Sequence, residues 1–286
     1  MSDFSRLSVV GVGMIGASLA RAARRARPGM EILGYDPAPP AAGVNAGVDR
    51  WADTLEEALG QADLVVLAAP VSSILELLPR AARLCPARAL VTDTGSTKED
   101  VCRIAGEAFR AAGGPHFLGG HPMAGSERGG ARASDPDLLR GAPYALCPDE
   151  RVPPAKTQAL ERLLRDLGAR PVWLAPREHD RMVARVSHLP QLLAVALGSL
   201  LEEGAATDGR LASLAGPGLR DLLRLASSSY PLWRDICRTN APALREAIRD
   251  MARRLEEVGQ DLDNESLEHW FAAARNFREQ RLKVDP

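Results

Sequence analysis

His121 opens the stretch His121-Pro122-Met123-Ala124-Gly125-Ser126-Glu127, which gathers an imidazole, a hydroxyl and a carboxylate within seven residues. Its proline and glycine predict a constrained loop. An imidazole titrates near neutrality, so His121 suits a general base wherever a substrate proton lies within hydrogen-bond reach. The competing reading is a structural or surface histidine, one of five in the chain. Ser96 stands in Asp93-Thr94-Gly95-Ser96-Thr97-Lys98, directly after an apolar run. There it either meets a substrate hydroxyl or caps the helix expected over 99–112. Arg220 and Arg224 lie four apart in an expected helix over 219–226. That spacing puts two guanidinium groups on one face, suited to a substrate with two carboxylates, although a solvated pair of surface charges has the same pattern.

Other residues have to position these groups and supply a cofactor. The β-favouring run Leu7 to Val10 leads into Gly11-Val12-Gly13-Met14-Ile15-Gly16, and helix-forming residues follow until Pro28-Gly29. Strand, glycine turn and helix in that order are the context of a dinucleotide fingerprint. The glycines let the backbone approach a pyrophosphate, which the helix N-terminus stabilises. A second strand, Glu31 to Tyr35, ends in Asp36, twenty residues beyond Gly16, where a carboxylate accepts hydrogen bonds from ribose hydroxyls. The same carboxylate repels a 2′-phosphate, and Pro37-Ala38-Pro39-Pro40 offers no arginine to offset that, so NAD is expected over NADP. The candidate cofactor-binding residues are Gly11, Gly13, Met14, Ile15, Gly16, Asp36 and Pro70, the last ending the apolar strand 64–69.

Apolar runs at 64–69 and 89–92 alternate with helical stretches, giving a doubly wound, Rossmann-type parallel sheet that ends with a strand at 171–174. Beyond Pro176 the β-favouring runs stop. Two domains are therefore expected, 1–175 binding NAD and 176–286 all-helical, in line with a length of 286 residues. Residues 177–203 read as a long helix interrupted at Pro190, with the apolar run 192–201 buried inside the domain or against a second subunit. A net charge of −1 gives no general attraction to nucleic acid or anionic membrane. Cys85, Cys102, Cys147 and Cys237 are scattered, with neither a CxxC pair nor metal-ligand spacing. Reduced thiols, no metal and a cytoplasmic location are expected.

Taken together, the glycine loop, the Asp93–Lys98 turn, His121–Glu127, Ser187-His188-Leu189-Pro190 and Arg220 through Arg224 to Trp233-Arg234-Asp235-Ile236 resemble the prephenate/arogenate dehydrogenase family. The resemblance implies NAD-dependent oxidative decarboxylation of a cyclohexadienyl substrate in tyrosine biosynthesis. Hydride leaves ring C4 for NAD+, the hydroxyl proton goes to a base and carbon dioxide departs. By the same resemblance His121 is the base, with Ser96 bonding both the histidine and the substrate hydroxyl. Arg224 binds the ring carboxylate, with Arg220 nearby. Ser126, Glu127, His188, Gln191 and Trp233 complete the substrate pocket. Gln191 stands where many members carry a second histidine, and Leu223 where a threonine is common, which bears on substrate choice. The resemblance further implies a homodimer formed through the helical domain; no added regulatory or mutase domain is expected.

Two other readings compete. A β-hydroxyacid dehydrogenase would need a lysine on the interdomain helix, and 177–203 contains none. A non-catalytic NAD-binding sensor would keep the fold but has no use for a proton acceptor.

Overall fold

The computed structural model describes residues 4–111, 113–125 and 129–282. By packing, the chain divides into two compact units, residues 1–241 and 242–286.

The first unit begins with β1 (Arg6–Val10), α1 (Met14–Ala26), β2 (Glu31–Tyr35), β3 (Arg50–Trp51) and α2 (Leu55–Gly60). β4 (Leu64–Leu67), α3 (Val71–Leu84), β5 (Leu90–Asp93), α4 (Glu99–Ala108) and β6 (His116–Pro122) follow. β7 (Pro143–Cys147), α5 (Pro154–Asp166) and β8 (Arg170–Trp173) complete the α/β layer. One sheet runs in the order β3-β2-β1-β4-β5-β6-β7-β8. All neighbours are parallel except β6 and β7, so the sheet is mostly parallel, as expected, with one antiparallel joint. The two-residue β3 escapes a sequence reading because so short an edge pairing carries no apolar run.

The central strands are buried on both faces, which is why β4 reads as uninterrupted Leu64-Val65-Val66-Leu67. Leu64 and Val66 pack with α1 and α5, whereas Val65 and Leu67 pack with α2, α3 and α4. Each such side chain contributes about 1.5–3 kcal/mol by leaving water. The strand order reverses between β1 and β4, and in open α/β sheets that crevice receives the ligand.

Helices follow the sheet. α6 (Pro176–Val183), a π turn (Ala184–His188) and α7 (Leu189–Thr207) form one continuous rod. The irregularity expected at Pro190 is realised one turn earlier: the Leu189 N–H bonds Ala184 O, a wider turn that admits a residue with no N–H to donate. The rod is long and apolar enough by composition to cross a membrane. It nevertheless carries His179, Asp180, His188 and Gln191, all buried and hydrogen-bonded to other parts of this unit. Of α7 only Leu189, Gln191 and Ala194 are buried, so within the chain the run 192–201 is not a core helix. α8 (Pro217–Leu223), a 3-10 turn (Arg224–Ser227) and α9 (Tyr230–Thr239) end the unit.

The second unit holds α10 (Ala241–Gln260), α11 (Leu267–Asn276) and a π turn (Phe277–Arg281). The Trp270 indole N–H donates to Asp261 at 2.8 Å, and the Arg254 guanidinium lies 4.5 Å from the centre of the Trp270 ring. Leu255, Leu262, Phe271, Phe277 and Leu282 stay exposed in the single chain.

Candidate active site

At the crevice, Gly11 has φ +92°, and a Cβ there would lie 2.4 Å from Ala68 O. A Cβ on Gly16 would lie 2.1 Å from Gly11 O, while one on Gly13 would meet nothing within 4 Å. Two glycines thus close the turn, and the third leaves open space beside it. α1 starts there with neither a side-chain cap nor an acidic residue in its first turn, so its amides suit an incoming anion. Met14 and Ile15 begin that turn, and Pro70 precedes α3 at the matching end of β4. Asp36 Oδ2 accepts the Val12 N–H at 2.8 Å and Oδ1 the Ala38 N–H at 2.9 Å. One carboxylate therefore ties down the glycine loop and keeps lone pairs for ribose hydroxyls. The residues present fit a dinucleotide.

His121 lies at the carboxyl end of the same sheet. It does not sit in a loop: β6 runs through it, with His121 opposite Ala145 and Pro122 opposite Tyr144. Antiparallel pairing to β7 overrides the local turn signal, and Pro122 is tolerated because it ends the strand. His121 Nδ1 is 2.9 Å from His179 Nε2, and His179 Nδ1 is 2.8 Å from Asp180 Oδ1. All three side chains are buried. Asp180 Oδ1 also accepts the Lys98 N–H at 2.7 Å, and Oδ2 the Glu99 N–H at 2.8 Å. A carboxylate accepting these bonds sets the order of the whole chain. His179 donates from Nδ1, so its Nε2 must accept from His121 Nδ1, leaving the lone pair on His121 Nε2. Burial first, then the neighbouring His179, Lys98 and His188, hold the His121 pKa well below the ordinary histidine value. The imidazole is thus kept in the neutral form that a base requires.

Ser96 is half-buried and does not cap α4. Lys98 is the N-cap residue, and Asp180 supplies the capping oxygens from α6. Among the described residues the Ser96 hydroxyl has no hydrogen-bond partner, so the expected bond to His121 is not made in this structure, where His179 takes the histidine's Nδ1, and capping does not compete for the hydroxyl either. Behind it lies a fully buried ion pair between Lys98 and Asp93.

His188 is buried; its Nδ1 lies 3.2 Å from Asn240 Nδ2, and its ring meets Trp233 edge-on at 5.7 Å. Burial pushes its pKa down to about 4. Asn240 also donates to Asp180 O at 2.8 Å, linking His188 to the His121–His179–Asp180 chain. Gln191 is fully engaged: its Nε2 donates to Leu225 O at 2.7 Å and its Oε1 accepts from Ser228 Oγ at 3.4 Å. It tethers the 3-10 turn that Arg224 opens. Arg220 and Arg224 do not share one regular helix, because α8 stops at Leu223; both are exposed in the single chain. Ser126 and Glu127 lie outside the described residues. Among the described residues no group of His, Cys, Asp or Glu is disposed to hold a metal.

Sequence reasoning missed the roles of His179, Asp180, Asn240 and the Lys98–Asp93 pair. The adjacency His179-Asp180 was a signal, but the partner of that pair is 58 residues away.

Residues 19–173 match the family described as prephenate dehydrogenase, nucleotide-binding domain, and residues 175–276 match prephenate dehydrogenase, dimerization domain. The chain belongs to the prephenate dehydrogenase family. Its NAD-binding domain precedes the family's helical dimerization domain. Prephenate dehydrogenase of Lactococcus lactis subsp. cremoris is 32% identical over 280 residues, covering 96% of this chain and 77% of the relative. Prephenate dehydrogenase of A. aeolicus, solved with hydroxyphenyl propionate and NAD+, superposes with a TM-score of 0.87 at 28% identity, covering 98% of each chain. Synechocystis arogenate dehydrogenase superposes at 0.78 and 28% identity, covering 97% of this chain and 99% of that one. Family members that resemble the chain thus bear the names of two different substrates.

Proposed function

We propose that the protein is an NAD-dependent prephenate dehydrogenase that oxidatively decarboxylates prephenate to 4-hydroxyphenylpyruvate in tyrosine biosynthesis. The observation that carries this reading is the buried chain His121–His179–Asp180, aimed from the carboxyl edge of a dinucleotide-binding sheet. Although the chain packs as units 1–241 and 242–286, the two family matches support functional domains that divide near residue 175, with 1–175 holding NAD and 176–286 serving substrate binding and dimerisation. The apolar faces left open on α7 and α11 support a homodimer. The four free thiols, with Cys102 and Cys147 in contact yet not joined by a disulfide, support a cytoplasmic site of action.

Gly11, Gly13 and the first turn of α1 (Met14, Ile15, Gly16) would hold the pyrophosphate, Asp36 the ribose, and Pro70 the wall of the crevice. NAD+ supplies the acceptor for the hydride that leaves ring C4. His121 takes the hydroxyl proton at Nε2, while its Nδ1–H stays on His179 and Asp180 offsets the positive charge that develops on the imidazole. Ser96 orients the hydroxyl. Arg224, with Arg220 beside it, binds the ring carboxylate before it is lost as carbon dioxide. His188, Trp233, Ser126 and Glu127 shape the pocket; Gln191 contributes through the Arg224 turn rather than by touching substrate.

Arogenate is the second reading, supported by the likeness to the Synechocystis enzyme. Formation of NADH or NADPH at 340 nm, with prephenate and arogenate each run against NAD+ and NADP+, decides between them. Strong preference for prephenate with NAD+ is expected. Preference for arogenate would change the substrate and keep the mechanism. Binding of NAD+ without turnover of either substrate would favour a sensor.

A further inference from the structure

Lys98 and Asp93 are both completely buried, and neither takes part in the proton path. A buried ion pair is an inefficient stabiliser, since desolvating two ions offsets most of their attraction and a well-packed apolar pair does as well. Its contacts supply another reason for its presence. Lys98 Nζ bonds Asp93 Oδ2 and donates to Gly120 O at 2.8 Å. Asp93 Oδ1 accepts the Gly120 N–H at 3.0 Å, and Oδ2 accepts the Gly95 N–H at 2.8 Å. The pair therefore grips both backbone groups of the residue before His121, and the N–H of the residue before Ser96.

The sheet explains why a grip is needed there. Pairing of β5 with β6 stops at Thr92 opposite Leu118, so from Gly119 onward β6 has a ladder partner only in β7. The ladder between the two strands ends there, and the side chains of Lys98 and Asp93 bridge this split. Close packing adds to the constraint: a Cβ on Gly120 would lie 2.7 Å from Asp93 O, and one on Gly119 2.8 Å from Cys102 Sγ. Resting on the reading of His121 as the base, we infer that the Lys98–Asp93 pair is a positioning device that fixes Ser96 and His121 relative to each other across this split.

The groups facing His121 are Lys98 with Asp93 behind it, His179 with Asp180 behind it, and His188. The Lys98 charge opposes formation of the imidazolium. Removing the pair therefore moves two readouts that simple scaffolding would leave alone.

The test compares wild-type protein with Lys98→Met and with the double variant Lys98→Met/Asp93→Asn, which leaves no unpaired buried carboxylate if the single variant fails to fold. We expect the double variant to bind NAD+ within about threefold of wild type while kcat falls roughly 10²-fold, the scale set by a misplacement of about 1 Å. The acid limb of its kcat/KM profile should shift to higher pH. A kcat within threefold of wild type with an unmoved limb overturns the proposal, and so does loss of NAD+ binding in step with kcat. Wild-type protein inactive on both prephenate and arogenate sinks the underlying reading of His121 instead; an active wild type beside an equally active variant sinks only the positioning role.

Discussion

The proposed base and the proposed carboxylate-binding arginines are held in opposite ways. Around His121 every polar partner is buried and paired: His179, Asp180, Asn240, Lys98 and Asp93 form a dry network set against a sheet. The arginine segment is built differently. From Leu211 to Ser227 it consists of a seven-residue helix between two 3-10 turns, and none of these elements has a buried residue. The proposed proton acceptor is thus preorganised by the single chain, whereas the proposed carboxylate-binding segment is not buried within it. Turnover should depend on the first region and substrate affinity on the second.

His121→Asn gives the largest test of that division. Loss of the base should lower kcat by roughly two to four decades with KM little changed; near-normal turnover in a stopped-flow assay would dismiss the base assignment. His179→Phe comes next. It keeps bulk but removes the partner that sets the His121 tautomer, so kcat should fall about 10²-fold, at the low end of general-base effects, with NAD+ affinity retained. Equal loss of NAD+ affinity in a fluorescence titration would show a packing role instead.

Arg224→Ala probes the other region. Removal of a charge-assisted carboxylate contact should raise KM roughly 10- to 100-fold while kcat changes far less. A drop in kcat alone would move Arg224 to the transition state and blur the contrast. Gln191→Leu should act more gently and through the same turn. Losing the bond to Leu225 O costs about 1 kcal/mol of stability, with a rise of a few-fold in KM and kcat nearly unchanged. An effect on kcat larger than on KM would place Gln191 with the base.

The smallest effect should appear below about pH 6.5, where acid tests the buried network. His188 titrates near 4 in the folded chain, below the ordinary histidine value of 6.5, because burial and His179 disfavour its charge more than Asp180 favours it. The unfolded chain therefore binds the extra proton first. Stability from the neutral ring is complete above about pH 6.5 and is lost as pH falls toward 4, and the thermal midpoint should follow. His188→Gln should flatten that slope; an unchanged slope would locate the acid sensitivity elsewhere.

The dinucleotide half of the molecule was legible locally. Glycine spacing, the acid at the end of β2 and uninterrupted apolar strands each follow from short-range geometry, so Gly11, Gly13, Gly16 and Asp36 could be read from neighbours in the chain. The strand register of His121 could not, because pairing with β7, more than twenty residues downstream, overrides a Pro-and-Gly turn signal. Nor could the capping of α4, where Asp180 displaces the local candidate Ser96 from a distance of 81 residues.

By itself the sequence determined which residues could accept a proton, bind carboxylates and cradle a pyrophosphate, since those capacities belong to side-chain types and to spacings within one turn or strand. Only the tertiary structure decided which of them act together. A carboxylate on α6 orders two imidazoles, a buried lysine spans the split between β5 and β6, and Gln191 turns inward to hold a turn. Each of these depends on burial and on contacts between distant segments, because hydrogen-bond direction and charge acquire their strength where folding has excluded water.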